Sequence, residues 1–174
     1  ELAVQATSTR FHLPMGGEGE VSVELDVPEF EPAKIPFRSA QPAERYSVLV
    51  DDEDIMIGVA SLGNPHAVLL VDDIDEAPVS RVGPVIEHHT DFPERTNVGF
   101  VEIKSPTHIR LRVWERGVGE TLACGSGACA AVSVCQRWNL IEGSVRGSLP
   151  GGVLQITWPG HGPILMSGPT TRVF

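Results

Sequence analysis

Residues 115–131 read ERGVGETLACGSGACAA. Cys124 stands directly before Gly125-Ser126-Gly127, and that turn opens into a segment of small residues with helical character. A thiol at a helix N-terminus feels the partial positive charge of backbone N–H groups that have no intrahelical partner, which favours thiolate. The same N–H groups can hold a carboxylate or another anion. Glu115 and Arg116 lie just upstream, at the end of a predicted strand. A proton-transfer group, an anion cradle and flanking charges in one short segment describe an acid–base site. An isolated cysteine reads as a small buried hydrophobe. The Gly-Ser-Gly that follows Cys124 turns the reading towards chemistry.

The other two cysteines, Cys129 and Cys135, fall in the same segment. On a helix Cys129 points about 140° away from Cys124, and Cys135 returns to its azimuth three turns on. Neither pair can form a disulfide or share a metal. Three thiols without bridging geometry suit a reducing cytosol, and Cys129 and Cys135 read as core residues.

The elements that must position Cys124 are mostly strands. Alternation or apolar runs mark Val21–Val27, Tyr46–Val50, Ile55–Ala60, Ala67–Val71, Ile109–Trp114 and Val153–Trp158. In the fifth of these, Ile109, Leu111 and Val113 face one way, and Arg110, Arg112 and Trp114 the other. Residues Glu31–Gln41, with Pro32 and Pro36, read as an extended connector. Val79, Val82 and Ile86 share one side of a short helix within Glu76–His89, against which Gly83-Pro84 argues. The second helix is expected over Ser126–Asn139 and is apolar nearly all round, so it must be buried on all sides. The implied fold is α+β, with a central buried helix wrapped by a curved, mostly antiparallel β-sheet.

Bulk properties exclude more than they name. The 174 residues carry a net charge of −10 and a pI near 5.0, which argues against nonspecific nucleic-acid binding. No apolar run approaches the ~20 residues of a membrane helix. No basic-then-apolar segment follows Glu1, so no signal peptide is expected. The acidic runs at 51–54 and 72–76 read as turns or solvated edges and not as metal sites.

The run GETLACGSGACAA, with ERG before it, resembles the second catalytic-cysteine motif of the diaminopimelate epimerase family. EPAKIPF at 31–37, GNPHAV at 63–68, FPERTNVGF at 92–100 and LPGG at 149–152 follow that family's order. The resemblance spans roughly residues 20 to 174. It implies a domain of that family's fold and a cofactor-free stereoinversion of LL- to meso-diaminopimelate, with no metal, in the cytoplasm, feeding lysine and peptidoglycan synthesis. The family uses one thiol from each of two similar domains and commonly forms homodimers. Its first catalytic cysteine lies in a Cys-Gly-Asn-Gly motif, and no cysteine precedes Cys124 here. The chain is therefore expected to be the C-terminal half, inactive alone, with 1–23 as the tail of the missing first domain, 24–168 as the epimerase domain and 169–174 as a terminal strand.

Roles carry over residue by residue. Cys124 is the catalytic thiol. The resemblance gives His66 and Glu115 the tuning of thiol pKa values, Glu115 also the substrate ammonium, Arg116 the distal carboxylate, and Asn64 and Asn97 further contacts at the distal end. The backbone N–H groups of Gly125 and Ser126 are candidates for the α-carboxylate, where preorganised donors are worth about 2.7–4 kcal/mol each in a transition state. Read alone, His66 is a turn histidine, Glu115 and Arg116 a surface pair, and Asn64 and Asn97 loop residues. His88, His89 and His108 match no site motif. Three expectations follow: Cys124 is the most acidic thiol and the first to be alkylated, an anion occupies the helix terminus, and the chain alone does not epimerise. The competing readings are a noncatalytic amino-acid- or anion-binding domain and a single-thiol reductase, which would lack a resolving cysteine.

Overall fold

The computed structural model describes residues 10–12 and 20–169. Eleven strands form one sheet: β1 (Arg10–His12), β2 (Glu20–Leu25), β3 (Tyr46–Val50), β4 (Glu53–Ser61), β5 (Pro65–Leu70), β6 (Asn97–Ser105), β7 (His108–Glu115), β8 (Gly119–Thr121), β9 (Ser144–Leu149), β10 (Gly152–Thr157) and β11 (Ile164–Pro169). Their order is β1-β2-β11-β10-β9-β7-β6-β5-β4-β3, with β8 paired to β7. Among the described residues, only β5–β6 and β7–β9 pair in parallel. Parallel neighbours need a crossover. The two helices, α1 (Val79–Glu87) and α2 (Gly125–Arg137), supply those crossovers.

The helices take opposite faces of the sheet. On one, α2 lies against β4, β5, β6, β7, β10 and β11, so the sheet curls around it. Each residue from Gly125 to Cys135 is buried, as a helix apolar on every side requires. Close approach is possible because β4 carries Gly58, where a Cβ would overlap Val134 and Trp138 of the α2 end. On the other face α1 packs on β3, β6, β7 and β8. Strand alternation sorts the side chains: Val68, Leu111 and Val113 join the α2 core, while Ala67, Leu69 and Phe100 join the α1 core.

The α+β architecture and the buried helix agree with the expectation. The helix starts one residue earlier than Ser126 and stops at Arg137, because Asn139 turns left-handed (φ 57°) and ends it. The short helix forms in spite of Pro84, which lies inside it. Its Gly83 is required: a Cβ there would stand 2.7 Å from Cγ of Trp114. The connector at 31–41 contains a 3-10 turn, Pro32–Lys34. Strands β6, β9 and β11 lie outside the predicted elements; β9 alternates in burial, but Gly147 takes one of its buried positions and so hides the pattern in the sequence. β6 begins with six buried residues on both faces, and β9 and β11 contain glycines. The boundary expected between residues 23 and 24 falls inside β2, which pairs with β11 along its whole length. Of the terminal strand expected at 169–174, Pro169 ends β11 and the rest lies outside the described residues, as does most of the 1–23 tail.

Candidate active site

β7 ends on Glu115 and is followed by Arg116, a tight turn through Gly117 (φ 75°) reverses the chain into β8, and α2 begins after the three residues Leu122, Ala123 and Cys124. Cys124 is the N-cap of α2. Its backbone is extended (φ −137°, ψ 105°), and its Sγ accepts from the N–H of Gly127 at 3.3 Å. A Cβ at 127 would sit 3.1 Å from that sulfur and 3.2 Å from Val113, which explains a glycine at this position. The Ser126 hydroxyl lies 3.7 Å from Sγ. The first helical bond runs from the Ala128 N–H to the Cys124 carbonyl, so the N–H groups of Gly125 and Ser126 stay outside the helical ladder. The third N–H of this turn, that of Gly127, is engaged by the thiol. The LPGG segment buttresses the approach: the Gly151 N–H donates to the Leu122 carbonyl at 2.7 Å.

The thiolate expectation is corrected. Cys124 is only 5 % exposed, and burial pushes its thiol up to about 11, aided by the negative charge of Glu115 beside it. The Gly127 N–H and Ser126 hydroxyl act in the opposite direction and lose. One hydrogen bond to sulfur and a helix terminus do not offset desolvation plus a like charge. Cys124 nevertheless remains the most acidic of the three thiols. Burial raises Cys135 to about 12 and Cys129 further, with Cys124 adding to the rise at Cys129. Cys129 and Cys135 are core residues, as read from the sequence.

The remaining residues form a polar arm joined to the thiol through the consecutive pair Glu115–Arg116. His66, 1 % exposed on β5, has its pKa lowered to about 3 by burial and by the charge of Arg116. It is therefore a neutral imidazole, and its Nε2–H donates to Oδ1 of Asn64 at 2.9 Å. Arg116, and not the thiol, is the charged neighbour of His66. Asn97 is buried and ties two loops together: its Nδ2 donates to the Pro65 carbonyl at 3.0 Å, and its Oδ1 accepts the Arg116 N–H at 2.9 Å. Arg116 itself donates from Nη1 to the Glu94 carbonyl at 3.0 Å. Asn64, His66, Asn97 and Arg116 thus converge through parallel β5–β6 register, in which His66 pairs with Asn97.

Two residues of this region have no role in the sequence reading. Thr121 donates its hydroxyl to Oε1 of Glu115 from the paired strand β8. Glu87, at the end of α1, accepts from Trp114 Nε1 and from the Gly117 N–H, both at 2.7 Å. The available signal for Glu87 was a carboxylate ending a helix without a basic residue in its last turn.

The family model described as diaminopimelate epimerase matches residues 58–173. The chain belongs to the diaminopimelate epimerase family. It is 46 % identical over 174 residues to the diaminopimelate epimerase of Ectopseudomonas mendocina (strain ymp), covering 99 % of this chain and 63 % of that protein. With the diaminopimelate epimerase of Alkalilimnicola ehrlichii it shares 47 % identity over 175 residues, covering 100 % of this chain and 63 % of the relative. The chain thus spans about 63 % of the length of these curated relatives. Among solved structures, a probable proline racemase from Agrobacterium radiobacter K84 superposes with a TM-score of 0.59 at 14 % identity, over 86 % of this chain and 50 % of that one. That likeness establishes the shared fold. Among the described residues, no helix is long and apolar enough to cross a membrane.

Proposed function

We propose that this chain supplies one of the two acid–base thiols in the cofactor-independent interconversion of LL- and meso-diaminopimelate. The reading rests above all on Cys124: a buried N-cap thiol held protonated beside Glu115, next to two backbone donors that lie outside the helical ladder. Inverting a carbon centre requires a base on one face and an acid on the other. A raised pKa makes Cys124 the acid of the resting pair. An opposing thiolate takes the α-proton, forming S–H as the C–H bond breaks. Cys124 delivers its own proton to the other face and becomes the thiolate that runs the reverse reaction.

The substrate's α-carboxylate takes up charge as the proton leaves. The N–H groups of Gly125 and Ser126 are assigned to it, at the positive end of α2. Glu115 holds the ammonium and sets the thiol pKa. Arg116 is assigned to the distal carboxylate, to which a guanidinium can bind in bidentate fashion. Asn64 holds His66 in its Nε2–H tautomer and, with Asn97, shapes the distal end. The opposing thiol comes from outside the residues described: of the chain's three cysteines, Cys129 and Cys135 are core residues. We accordingly assign this chain to the C-terminal half of an epimerase that acts as a cytoplasmic homodimer, and expect no epimerisation by the chain alone.

The experiment is incubation of the purified chain with LL-diaminopimelate in D₂O, following α-deuterium and optical rotation. No change, or exchange with retention of configuration, supports the two-thiol reading. Stereoinversion by the chain alone at an ordinary turnover of about 1–1000 per second would overturn it.

A further inference from the structure

We infer that Glu87 is a positioning residue, which holds the Trp114–Gly117 turn in place and through it aims Glu115 at the Cys124 thiol and Arg116 at the substrate. The assignment of Arg116 rests on the function proposed above; the aiming of Glu115 does not.

Glu87 sits where a carboxylate is least expected. It is 3 % exposed and closes α1, whose C-terminal end carries partial negative charge. A buried carboxylate in that field persists only when donors surround it. Those donors are the Trp114 indole and the Gly117 N–H, each at 2.7 Å, with the Arg95 guanidinium at 3.4 Å. The two shortest bonds go to residues on either side of Glu115–Arg116. Asn97 takes the Arg116 N–H between them, so a donor side chain and two consecutive backbone N–H groups are all fixed by buried acceptors. The contact is prepared one turn earlier, where Gly83 lets Trp114 pack directly against α1. Nothing in the substrate-facing role assigned to β7 requires a buried charge on the opposite face of the sheet. Holding the turn does.

Consequences follow for both residues in the turn. The groups that face Cys124 are Glu115 from the β7 end, the Gly127 N–H and Ser126 hydroxyl from α2, and Cys129 one turn along. Of these only Glu115 is carried by the segment that Glu87 holds. Releasing the turn moves Glu115 away and lets thiolate form at lower pH. It also releases Arg116 from its fixed backbone anchor.

The test uses Glu87→Gln and Glu87→Ala, first in this chain and then in the complete epimerase. In the chain, the pH dependence of Cys124 alkylation by iodoacetamide is read by peptide mapping, beside thermal melting. Both variants are expected to shift the labelling profile to lower pH, alanine more than glutamine, because glutamine keeps one acceptor oxygen. In the complete enzyme, KM for diaminopimelate is expected to rise roughly tenfold or more for alanine, the scale of a buried donor left unpaired, and less for glutamine. An unchanged labelling profile with a lowered melting temperature overturns the inference and leaves Glu87 purely structural. A shifted profile with unaltered KM and kcat supports the positioning role and overturns the assignment of Arg116 to substrate. If the alanine variant does not fold, the isosteric glutamine variant decides.

Discussion

Cys124 and Glu87 are both buried acids at helix ends, and their environments drive them in opposite directions. Burial pushes each towards its protonated form. At Glu87 the indole of Trp114, the Gly117 N–H and the charges of His88 and Arg95 outweigh burial and hold the carboxyl below its ordinary 4.5. At Cys124 a single backbone N–H and a distant hydroxyl do not, and Glu115 adds repulsion. The lesson is that a helix terminus does not set a protonation state by itself. The α2 N-terminus favours thiolate and fails to produce it, while the α1 C-terminus disfavours carboxylate and fails to prevent it. Donor count and neighbouring charge decide. One buried acid is thereby kept ready to give a proton, and the other is kept as a fixed anchor.

The largest expected effect falls on the proton donor. Cys124→Ala in the complete epimerase should lower kcat for diaminopimelate by about 10²–10⁴, the range for losing a positioned acid or base. Cys129→Ala should leave the chemistry near its original rate. Steady-state rates from optical rotation measure both, and equal losses would erase the distinction between the helix-end thiol and the core thiols.

The neighbouring charge is tested next. Glu115→Gln removes the repulsion without changing shape, so the Cys124 thiol should fall from about 11 towards the ordinary range. Each unit by which its pKa falls gives roughly tenfold more thiolate at a fixed pH. Iodoacetamide labelling at pH 8 should accelerate accordingly. An unchanged rate would assign the raised pKa to burial alone.

His66 extends the comparison to a group on which burial and a neighbouring charge, that of Arg116, act in the same direction. Its folded pKa of about 3 lies below the ordinary 6.5, so the unfolded chain binds the proton first. Stability is then full above pH 6.5 and declines as pH falls towards 3, by up to about 1.4 kcal/mol for each pH unit crossed. Glu87, also lowered, loses its contribution in the same direction but only below 4.5. Denaturant melts of the chain between pH 7 and 4 should therefore slope, and His66→Gln should flatten the upper part while the Glu87 portion persists. A slope that survives this substitution points to other groups.

The smallest effect is a packing one. Gly83→Ala would force a methyl against Trp114, which stands too close to yield, and should cost about 1–3 kcal/mol. Thermal melting measures it. A neutral result would show that Trp114 shifts freely, weakening the case for a rigid turn behind Glu115 and Arg116.

Much of this molecule was legible in the sequence. The apolar period of Ala128–Cys135 demanded a helix buried on every side, and only a sheet curled around it can provide that. The alternation of Ile109, Leu111 and Val113 assigned their face, and the glycine run after Cys124 marked the helix start. Local pattern suffices where burial is periodic along one segment. It gave no sign of β6, whose first residues are buried on both faces, or of β9 and β11, where glycines interrupt the pattern. The protonation state of Cys124 was also beyond it. That depends on how much water the sheet excludes and on Glu115 arriving nine residues earlier in the chain, and both are set by folding. Glu87 is the sharper case: 27 residues separate it from Trp114, and the sheet between them decides whether they meet. The sequence fixes which groups can exchange protons, because that is a property of side-chain type. Tertiary structure decides which of them hold their protons, because desolvation and charge act through space.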